Sequence, residues 1–581
     1  MNFSKTTIKK NKSLTSFFLA LTVEELIKNK IKNPKGLAEI KRKIAKKYKT
    51  SQPDNISLLK TYHELLKKKK VKKSPSLEFL LRKRPVRSLS GIVNVSILTK
   101  PYPCPGKCIF CPQESGLPKS YLSGEPAVER AKRLNFNPYW QVKKRIESLK
   151  LEGHPTDKIE LRIVGGTWSY YPKNYQIWFV KECFDACNDK KISNYKNNNE
   201  NKGKSKKKTI QAKKPWQIKS LDLFKELLKA QKKNEKTKHR IVGLSVETRP
   251  DFIDKKEIKR LRKLGVTMVE LGIQSIYEKV LRANLRGHGS KEIILATKLL
   301  KNAGFKVLYQ IMPNLFGSDL KKDKKIFKEI FSNPDFQPDL LKIYPCALLK
   351  ETFLYKLWKK GKYKPYSQKQ LVSLIKSIKK IMPCYVRIQR ISRDIPANLI
   401  VSGPAKASNL RQILKENMKK EKWHCKCIRC REIKGRYFFP TNKKTQKIKL
   451  LRKDYKASEG KEIFLSFESF LPKNQRDRQE GKNKANLLSL LRLRITSENR
   501  AIIREIHTFG QQLPIKGKKD FIWKASPQDK GLGKKLIKEA EKITKEEFHL
   551  NEIKVIAAVG ARKYFRKLGY RLKETYMVKS I

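Results

Sequence analysis

KPYPCPGKCIFCP, residues 100–112, carries three cysteines, Cys104, Cys108 and Cys111, in the spacing C-x3-C-x2-C. Three thiolates this close on one loop can hold three irons of a [4Fe–4S] cluster and leave the fourth iron open to a small molecule. Zinc closes a tetrahedron and needs a fourth protein ligand, which the loop lacks. An odd number of thiols leaves one without a disulfide mate, and no secretory context accompanies them. A zinc knuckle or incidental cysteines are the plainer alternatives.

Outward from that loop, residues 88–400 alternate short apolar strands with amphipathic helices. The strand candidates are 92–98, 159–166, 241–247, 268–274, 306–313 and 340–345, and the helical stretches include 129–150, 255–264, 290–303 and 367–381. Repeated strand–helix units predict an α/β fold with a parallel sheet, open or closed into a partial (β/α) barrel. Ligands of such sheets sit at the carboxyl ends of the strands, and the cysteine loop follows the first strand as that rule requires. Residues 188–238, with NYKNNNENKGKSKKKT inside them, are polar and without period, and are expected to form an inserted loop outside the core.

The chain has 581 residues, too many for one compact core, and 39% of them are hydrophobic, enough for globular domains. Lys+Arg number 136 against 53 Asp+Glu, a net charge of +83. A charge of that size points to a polyanionic partner, although compositional bias spread over every surface would also raise it. The basic runs KRKIAKKYK (41–49), KKKKVKK (67–73) and LRKRPVR (81–87) fall in a helical region, 1–87, interleaved with Tyr48, Tyr62 and Phe79. This is the pattern of a phosphate-tracking module, with solvated helix faces as the alternative. The apolar run 17–23 is short and meets Glu24 and Glu25, so it reads as a helix face rather than a leader. No stretch reaches the roughly 18 apolar residues of a spanning helix. A soluble, cytoplasmic protein with no membrane contact is expected, and ten cysteines suit a reducing compartment.

A second cysteine group, WHCKCIRCR (423–431), lies in a linker expected over 401–450. Cys425, Cys427 and Cys430 could form a structural zinc site with His424, with a distant Cys346 or Cys384, or could bind no metal. From 451 to 581 strands return at 463–469, 487–495, 501–510 and 553–559. Gln528-x-x-Gly531-x-Gly533 then opens a long helix, where backbone N–H groups and the helix terminus favour a pyrophosphate.

The cysteine loop resembles that of the radical S-adenosylmethionine enzymes, and the C-terminal segment resembles the GNAT acetyltransferases. The two in this order resemble the third Elongator protein family, the catalytic subunit of Elongator. The stretches that carry the resemblance include GGTW (165–168), ETRPD (247–251), ELGIQS (270–275), LRGH (285–288), LLRLR (490–494), REIH (504–507) and YMVK (576–579). The resemblance implies a radical domain over 88–400 followed by a GNAT domain over 451–581. It implies carboxymethylation of carbon five of the tRNA wobble uridine, with acetyl-CoA as substrate and a radical made from S-adenosylmethionine at a [4Fe–4S] cluster. The partner would be the anticodon stem-loop of tRNA, held by the basic 1–87 region. The electron donor stays unknown and a homodimer stays open.

Carried over residue by residue, the resemblance puts the cluster on Cys104, Cys108 and Cys111, and S-adenosylmethionine against Gly165, Gly166 and Gln274. It puts acetyl-CoA against Lys158, Glu505, Ile506, His507, Thr508, Gly531, Leu532, Gly533 and Tyr564. Tyr564, His507 and Glu505 are the expected catalytic groups. The chain departs from the family at Tyr564-Phe565, where two tyrosines are usual. Phe565 fills the slot of the common general acid of GNAT enzymes and cannot protonate a thiolate. A protein lysine acetyltransferase with a structural iron–sulfur domain is the competing reading, and a non-catalytic tRNA-binding protein is a third.

Overall fold

The computed structural model describes residues 5–31, 33–189, 220–403, 409–433, 447–470, 485–513 and 526–581. Two seven-stranded sheets organise them. The first is all parallel and runs in sequence order: β1 (Val93–Leu98), β2 (Lys158–Val164), β3 (Arg240–Thr248), β4 (Met268–Gln274), β5 (Lys306–Ile311), β6 (Leu340–Ile343) and β7 (Arg387–Ile391). Helices between the strands cover its outer face, giving a parallel half-barrel. β7 went unrecognised in the sequence.

Period two sorts the residues of these strands. In β2, Ile159, Leu161 and Ile163 are buried against the helices, while Lys158, Glu160 and Arg162 alternate onto the opposite face. Glu247 of β3, Glu270 of β4 and Lys342 of β6 share that inner face. The Lys342 ammonium lies 2.9 Å from Glu247 and also pairs with Glu270. The interior of the half-barrel is therefore charged.

Two readings of the helical and inserted segments change. The helix expected over 129–150 is two, Pro126–Lys132 and Pro138–Leu151. Asn135 and Phe136 between them take positive φ (48° and 54°), and Asn137 caps the second helix ahead of Pro138. Of the expected insertion 188–238, residues 190–219 lie outside the described residues, but Ser220–Asn234 is a helix whose Leu223 and Leu227 join the core.

The second sheet is mixed, in the order β13–β14–β12–β11–β10–β9–β8. Its strands are β8 (Lys447–Ala457), β9 (Gly460–Phe470), β10 (Asn486–Ile495), β11 (Ala501–Thr508), β12 (Glu552–Val555), β13 (Arg571–Lys573) and β14 (Tyr576–Ser580). Only β11 and β12 pair in parallel. The helix Leu532–Glu546 packs Leu536, Ile537, Ala540 and Ile543 on this sheet. At the other end of the chain, the helices Pro34–Lys47, Asn55–Lys67 and Pro75–Leu81 are capped by Asn33, Asp54 and Ser74. They close a small core of Leu37, Leu58, Leu59, Tyr62 and Leu77, leaving the lysines of 67–70 exposed.

The two sheets are bolted together through buried charge. Arg504 of β11 donates to Asp339 at 2.5 and 3.0 Å and to Glu462 at 2.9 Å. Arg494 of β10 bonds Glu462 at 3.0 Å and Asn302 at 2.9 Å. Lys301 lies 3.6 Å from both Asp339 and Glu462. Except for the half-buried Asn302, all of these groups are buried. Against the pull of burial, Arg504, Lys301 and Arg492 hold the Asp339 carboxyl far below its usual range. The arginines of LLRLR and REIH thus fasten the second domain to the first.

Candidate active site

Two cavities lie at opposite ends of the half-barrel. The first, about 840 Å³, is at the amino ends of its strands. Lys158, Arg240, Lys306, Leu340 and Arg387, each the first residue of its strand, line it. The second domain closes it from below with β10, β11 and the start of the helix Leu532–Glu546. The second cavity, about 600 Å³, is at the carboxyl ends, under the cysteine loop.

The first cavity gathers all nine residues expected at acetyl-CoA. Lys158, Glu505, Ile506, His507, Thr508, Gly531, Leu532, Gly533 and Tyr564 line it together. Lys158 Nζ is 2.8 Å from Gln528 Oε1. The amide of Gln528 donates in turn to Gly91 O at 3.2 Å and Thr508 O at 2.9 Å, so this one side chain stitches the two domains. The approach is close. A Cβ on Gly91, whose φ is +84°, would stand 2.1 Å from Gln528 Nε2 and 2.6 Å from Thr508 O.

Electrostatics set the state of each group there. Glu505 bonds Arg492 at 2.8 Å and Lys306 at 3.3 Å; against the pull of burial these hold its carboxyl at about 2. It stays an anion and an acceptor. His507 donates from Nε2 to Ser90 O at 2.7 Å and stacks on Phe509. Burial lowers its pKa, partly opposed by Glu505, which keeps the ring neutral with Nδ1 as the acceptor side. Burial pushes Tyr564 up to about 12, so its hydroxyl keeps its proton, and that oxygen lies 3.2 Å from where a Cβ on Gly533 would be. Phe565 is buried in the core of the second domain.

The second cavity holds Cys104, Cys108, Cys111, Gly165, Gly166 and Gln274. Gly165 needs its freedom: at φ +140° a Cβ would meet Thr99 Oγ1 at 2.0 Å. Arg286 Nη1 donates to Cys108 Sγ at 3.1 Å. Burial and the neighbouring Cys108 push the Cys111 thiol up to about 12, so that sulfur ionises when a metal takes it. Among the described residues, one group of three or more Cys, His, Asp or Glu has all its ligand atoms within 4.8 Å of one another, and it is Cys425, Cys427 and Cys430. The loop trio is not drawn together in this way. Gln274 is buried, and its Oε1 has no hydrogen-bond partner among the described residues. The same is true of Arg249 Nη1. Unpaired buried polar atoms lining a cavity fit a polar ligand such as S-adenosylmethionine.

The second trio differs. Cys425 and Cys427 are buried and Lys379 Nζ lies 3.4 Å from Cys430 Sγ. His424, Cys346 and Cys384, each weighed as a fourth ligand, do not join the group. Cys346 packs instead beside the cluster loop, among Ile109, Phe110 and Leu354.

Between the cavities, Arg87, Arg162 and Gln389 line both. After the Gln389 amide is oriented to suit its neighbours, its oxygen accepts from both terminal nitrogens of Arg162, at 2.9 and 2.5 Å. Along β2 the first cavity is lined by Lys158 and Glu160, the wall by Arg162, and the second cavity by Val164 and Gly165. At about 3.3 Å per residue, Lys158 and Arg162 are about 13 Å apart.

Comparison with known proteins identifies the family. The profile of the Radical SAM superfamily matches residues 218–329, and that of the Radical_SAM C-terminal domain matches 338–420. Both lie downstream of the cysteine loop. A tRNA uridine(34) acetyltransferase of Methanocaldococcus jannaschii is 44% identical over 517 residues, 86% of each chain. The chain belongs to the Elongator protein 3 family. Elongator complex protein 3 of Homo sapiens is 33% identical over 589 residues, 97% of each chain. A solved structure of the archaeal Methanocaldococcus infernus Elp3, with an N-terminal deletion, matches at a TM-score of 0.65 and 39% identity, covering 85% of this chain and 100% of that one. Among the described residues no helix is long and apolar enough to cross a membrane.

The residues expected at acetyl-CoA fall in the first cavity and those expected at the cluster and S-adenosylmethionine in the second, but what joins the two cavities was not foreseen. Arg162, Gln389, Arg87 and the Gln528 stitch were not singled out. The alternation of charge in KIELR, residues 158–162, was the available signal, because a parallel strand covered on both faces reads as an unbroken apolar run.

Proposed function

We propose that this protein is a tRNA uridine(34) acetyltransferase that uses acetyl-CoA and radical chemistry to place a carboxymethyl group on carbon five of the wobble uridine. The observation that carries the proposal is the common wall of the two cavities at Arg87, Arg162 and Gln389. It supports one reaction chamber, entered from both ends of the half-barrel. A [4Fe–4S] cluster on Cys104, Cys108 and Cys111, with S-adenosylmethionine beside Gln274, Gly165 and Gly166, would supply a carbon radical able to take a hydrogen from an acetyl methyl.

The chain's own residues do the rest. Gly531, Leu532 and Gly533 offer backbone N–H groups at a helix N-terminus to the pyrophosphate of acetyl-CoA. Lys158, fixed by Gln528, reaches the same arm from the first domain. The neutral His507 and the protonated Tyr564 are the groups beside the thioester, His507 to accept a proton from water and Tyr564 to donate one to the leaving thiolate. Glu505, locked as an anion, orients Lys306 and Arg492 and does not exchange protons at neutral pH. Phe565, buried in its core, has no proton to give. The exposed lysines of the N-terminal helices would hold the anticodon stem through its phosphates. Cys425, Cys427 and Cys430 would supply three of the four ligands of a structural zinc site.

The test is anaerobic reconstitution with iron and sulfide, then incubation with tRNA, S-adenosylmethionine and acetyl-CoA labelled in its methyl carbon. Nucleoside mass spectrometry should show labelled 5-carboxymethyluridine, absent in Cys108→Ser. Label appearing instead in lysines of an added peptide, equally in Cys108→Ser, would establish the protein acetyltransferase reading.

A further inference from the structure

Three aromatic rings stand in a row on the surface beside the carboxyl-end cavity. Tyr102 lies 5.9 Å from Tyr170, and Tyr170 lies 5.8 Å from Phe252, centre to centre. They come from loops leaving adjacent strands. Tyr102 follows β1 and precedes Cys104 by two residues; Tyr170 follows the Gly165-Gly166 turn after β2; Phe252 follows β3. Thr167 and Arg249, just upstream of the last two rings, line the cavity itself.

The row is held rigidly from beneath. Tyr102 stacks on the buried Tyr171, whose hydroxyl donates to Lys100 O at 2.7 Å, and Tyr171 stacks on Tyr175. Ser169, next to Tyr170, accepts from Thr248 at 2.9 Å and donates to Glu257 at 2.8 Å. Tyr170 itself is 41% exposed. Lys100 lies over the Tyr175 ring at 5.0 Å and, with Lys173, Pro172 and Tyr102, borders an open hollow of about 470 Å³. An exposed tyrosine between fixed rings, edged by lysines, has the composition of a surface that stacks unpaired bases and neutralises their phosphates.

We infer that Tyr170, with Tyr102 and Phe252, is a stacking platform for the unpaired anticodon-loop nucleotides that flank the uridine entering the carboxyl-end cavity. The inference rests on the tRNA reading above and adds to it a contact to the bases beside the target, separate from phosphate binding by the N-terminal helices. A base withdrawn from the loop leaves its neighbours unstacked, and a ring at the rim recovers part of that cost.

The test uses the full chain with its cluster reconstituted and an anticodon stem-loop hairpin carrying 2-aminopurine on one side of the target uridine, then on the other. Binding to the unaltered protein should quench the fluorophore in at least one position. Tyr170→Ala should abolish that quenching and weaken hairpin binding about five- to tenfold. Tyr170→Phe should keep both, and iron content should be equal in all three. Binding of a blunt duplex lacking a loop should not change in Tyr170→Ala. Unchanged quenching and affinity in Tyr170→Ala, in a protein that still modifies the hairpin, overturns the platform and leaves the tRNA reading standing. Equal weakening for hairpin and duplex also overturns it, since the contact is then not to loop bases. An unaltered protein that neither binds nor modifies the hairpin sinks both.

Discussion

The two cysteine trios use the same side chain and nearly the same spacing, C-x3-C-x2-C and C-x-C-x2-C, for opposite ends. Cys104, Cys108 and Cys111 lie half-buried at a cavity, with arginines and a lysine around them. Cys425, Cys427 and Cys430 are drawn within 4.8 Å, largely buried, at a crossing of the two domains. At that crossing Ile428 N bonds Val386 O beside β7 and Ile433 N bonds Leu487 O of β10. A site that must exchange ligands keeps an open side; a site that holds chains together closes on itself. Spacing alone does not separate them, and burial does.

That contrast can be broken most sharply by exchanging serine for cysteine in each trio. Cys108→Ser should abolish nucleoside modification altogether while leaving Tm within a degree or two of the parent. Cys427→Ser should do the reverse, costing about 4 kcal/mol or more of stability, as loss of a structural metal does. It should retain activity in the cold. If Cys427→Ser keeps its Tm, the second trio is not a fastening.

The ion network at the same domain crossing offers a smaller effect. Asp339→Asn leaves Arg504, Arg492 and Lys301 without their common anion and should cost about 3–5 kcal/mol. Denaturant unfolding monitored separately in each domain should show the second domain detaching first. Coincident transitions at the parent midpoint would show that the network does not hold the domains.

Acid provides the mildest probe. Burial lowers His239 from 6.5 to about 4, and it donates from Nδ1 to Thr156 O at 3.0 Å. His154 is lowered to about 4 in the same way. Between pH 6.5 and 4 the unfolded chain binds protons that the folded chain refuses, so stability falls as pH falls through that window, by about 3 kcal/mol at most for His239. Below about 4.5, Glu505 adds to the loss as protons compete for a carboxylate held at about 2. Tm measured from pH 7 to pH 4 should decline steadily, and His239→Gln should flatten part of that slope.

Much of this was legible in the chain. Strands β1 to β6 announce themselves because their outward residues, such as Ile159, Leu161 and Ile163, are buried under helices. Strand β7, RIQRI, hides because only Ile388 of its five residues is buried and its arginines and Gln389 face the charged interior. Strand β8, KIKLLRKDYKA, hides because it is the sheet's edge, where exposed lysines discourage pairing with another chain. Cys104, Cys108, Cys111, Gly531 and Gly533 stand out in the sequence because cysteine spacing and the Gly-x-Gly turn carry their chemistry locally, whereas Lys158, Glu505, His507, Tyr564 and Gln274 rest on the family resemblance. The arginines of LLRLR were not understood, because their partners Asp339, Asn302 and Tyr385 lie more than a hundred residues away.

Two cavities that open at opposite ends of the half-barrel and share one wall have a kinetic consequence. On the proposed reading, the thioester arrives from the amino end and the nucleotide from the carboxyl end, so neither stands in the other's doorway. Spent coenzyme can depart and be replaced while the RNA is still seated, and the RNA can leave without waiting for it. Arg162 and Gln389, in the wall between the two cavities, then become the point where the two traffic streams meet.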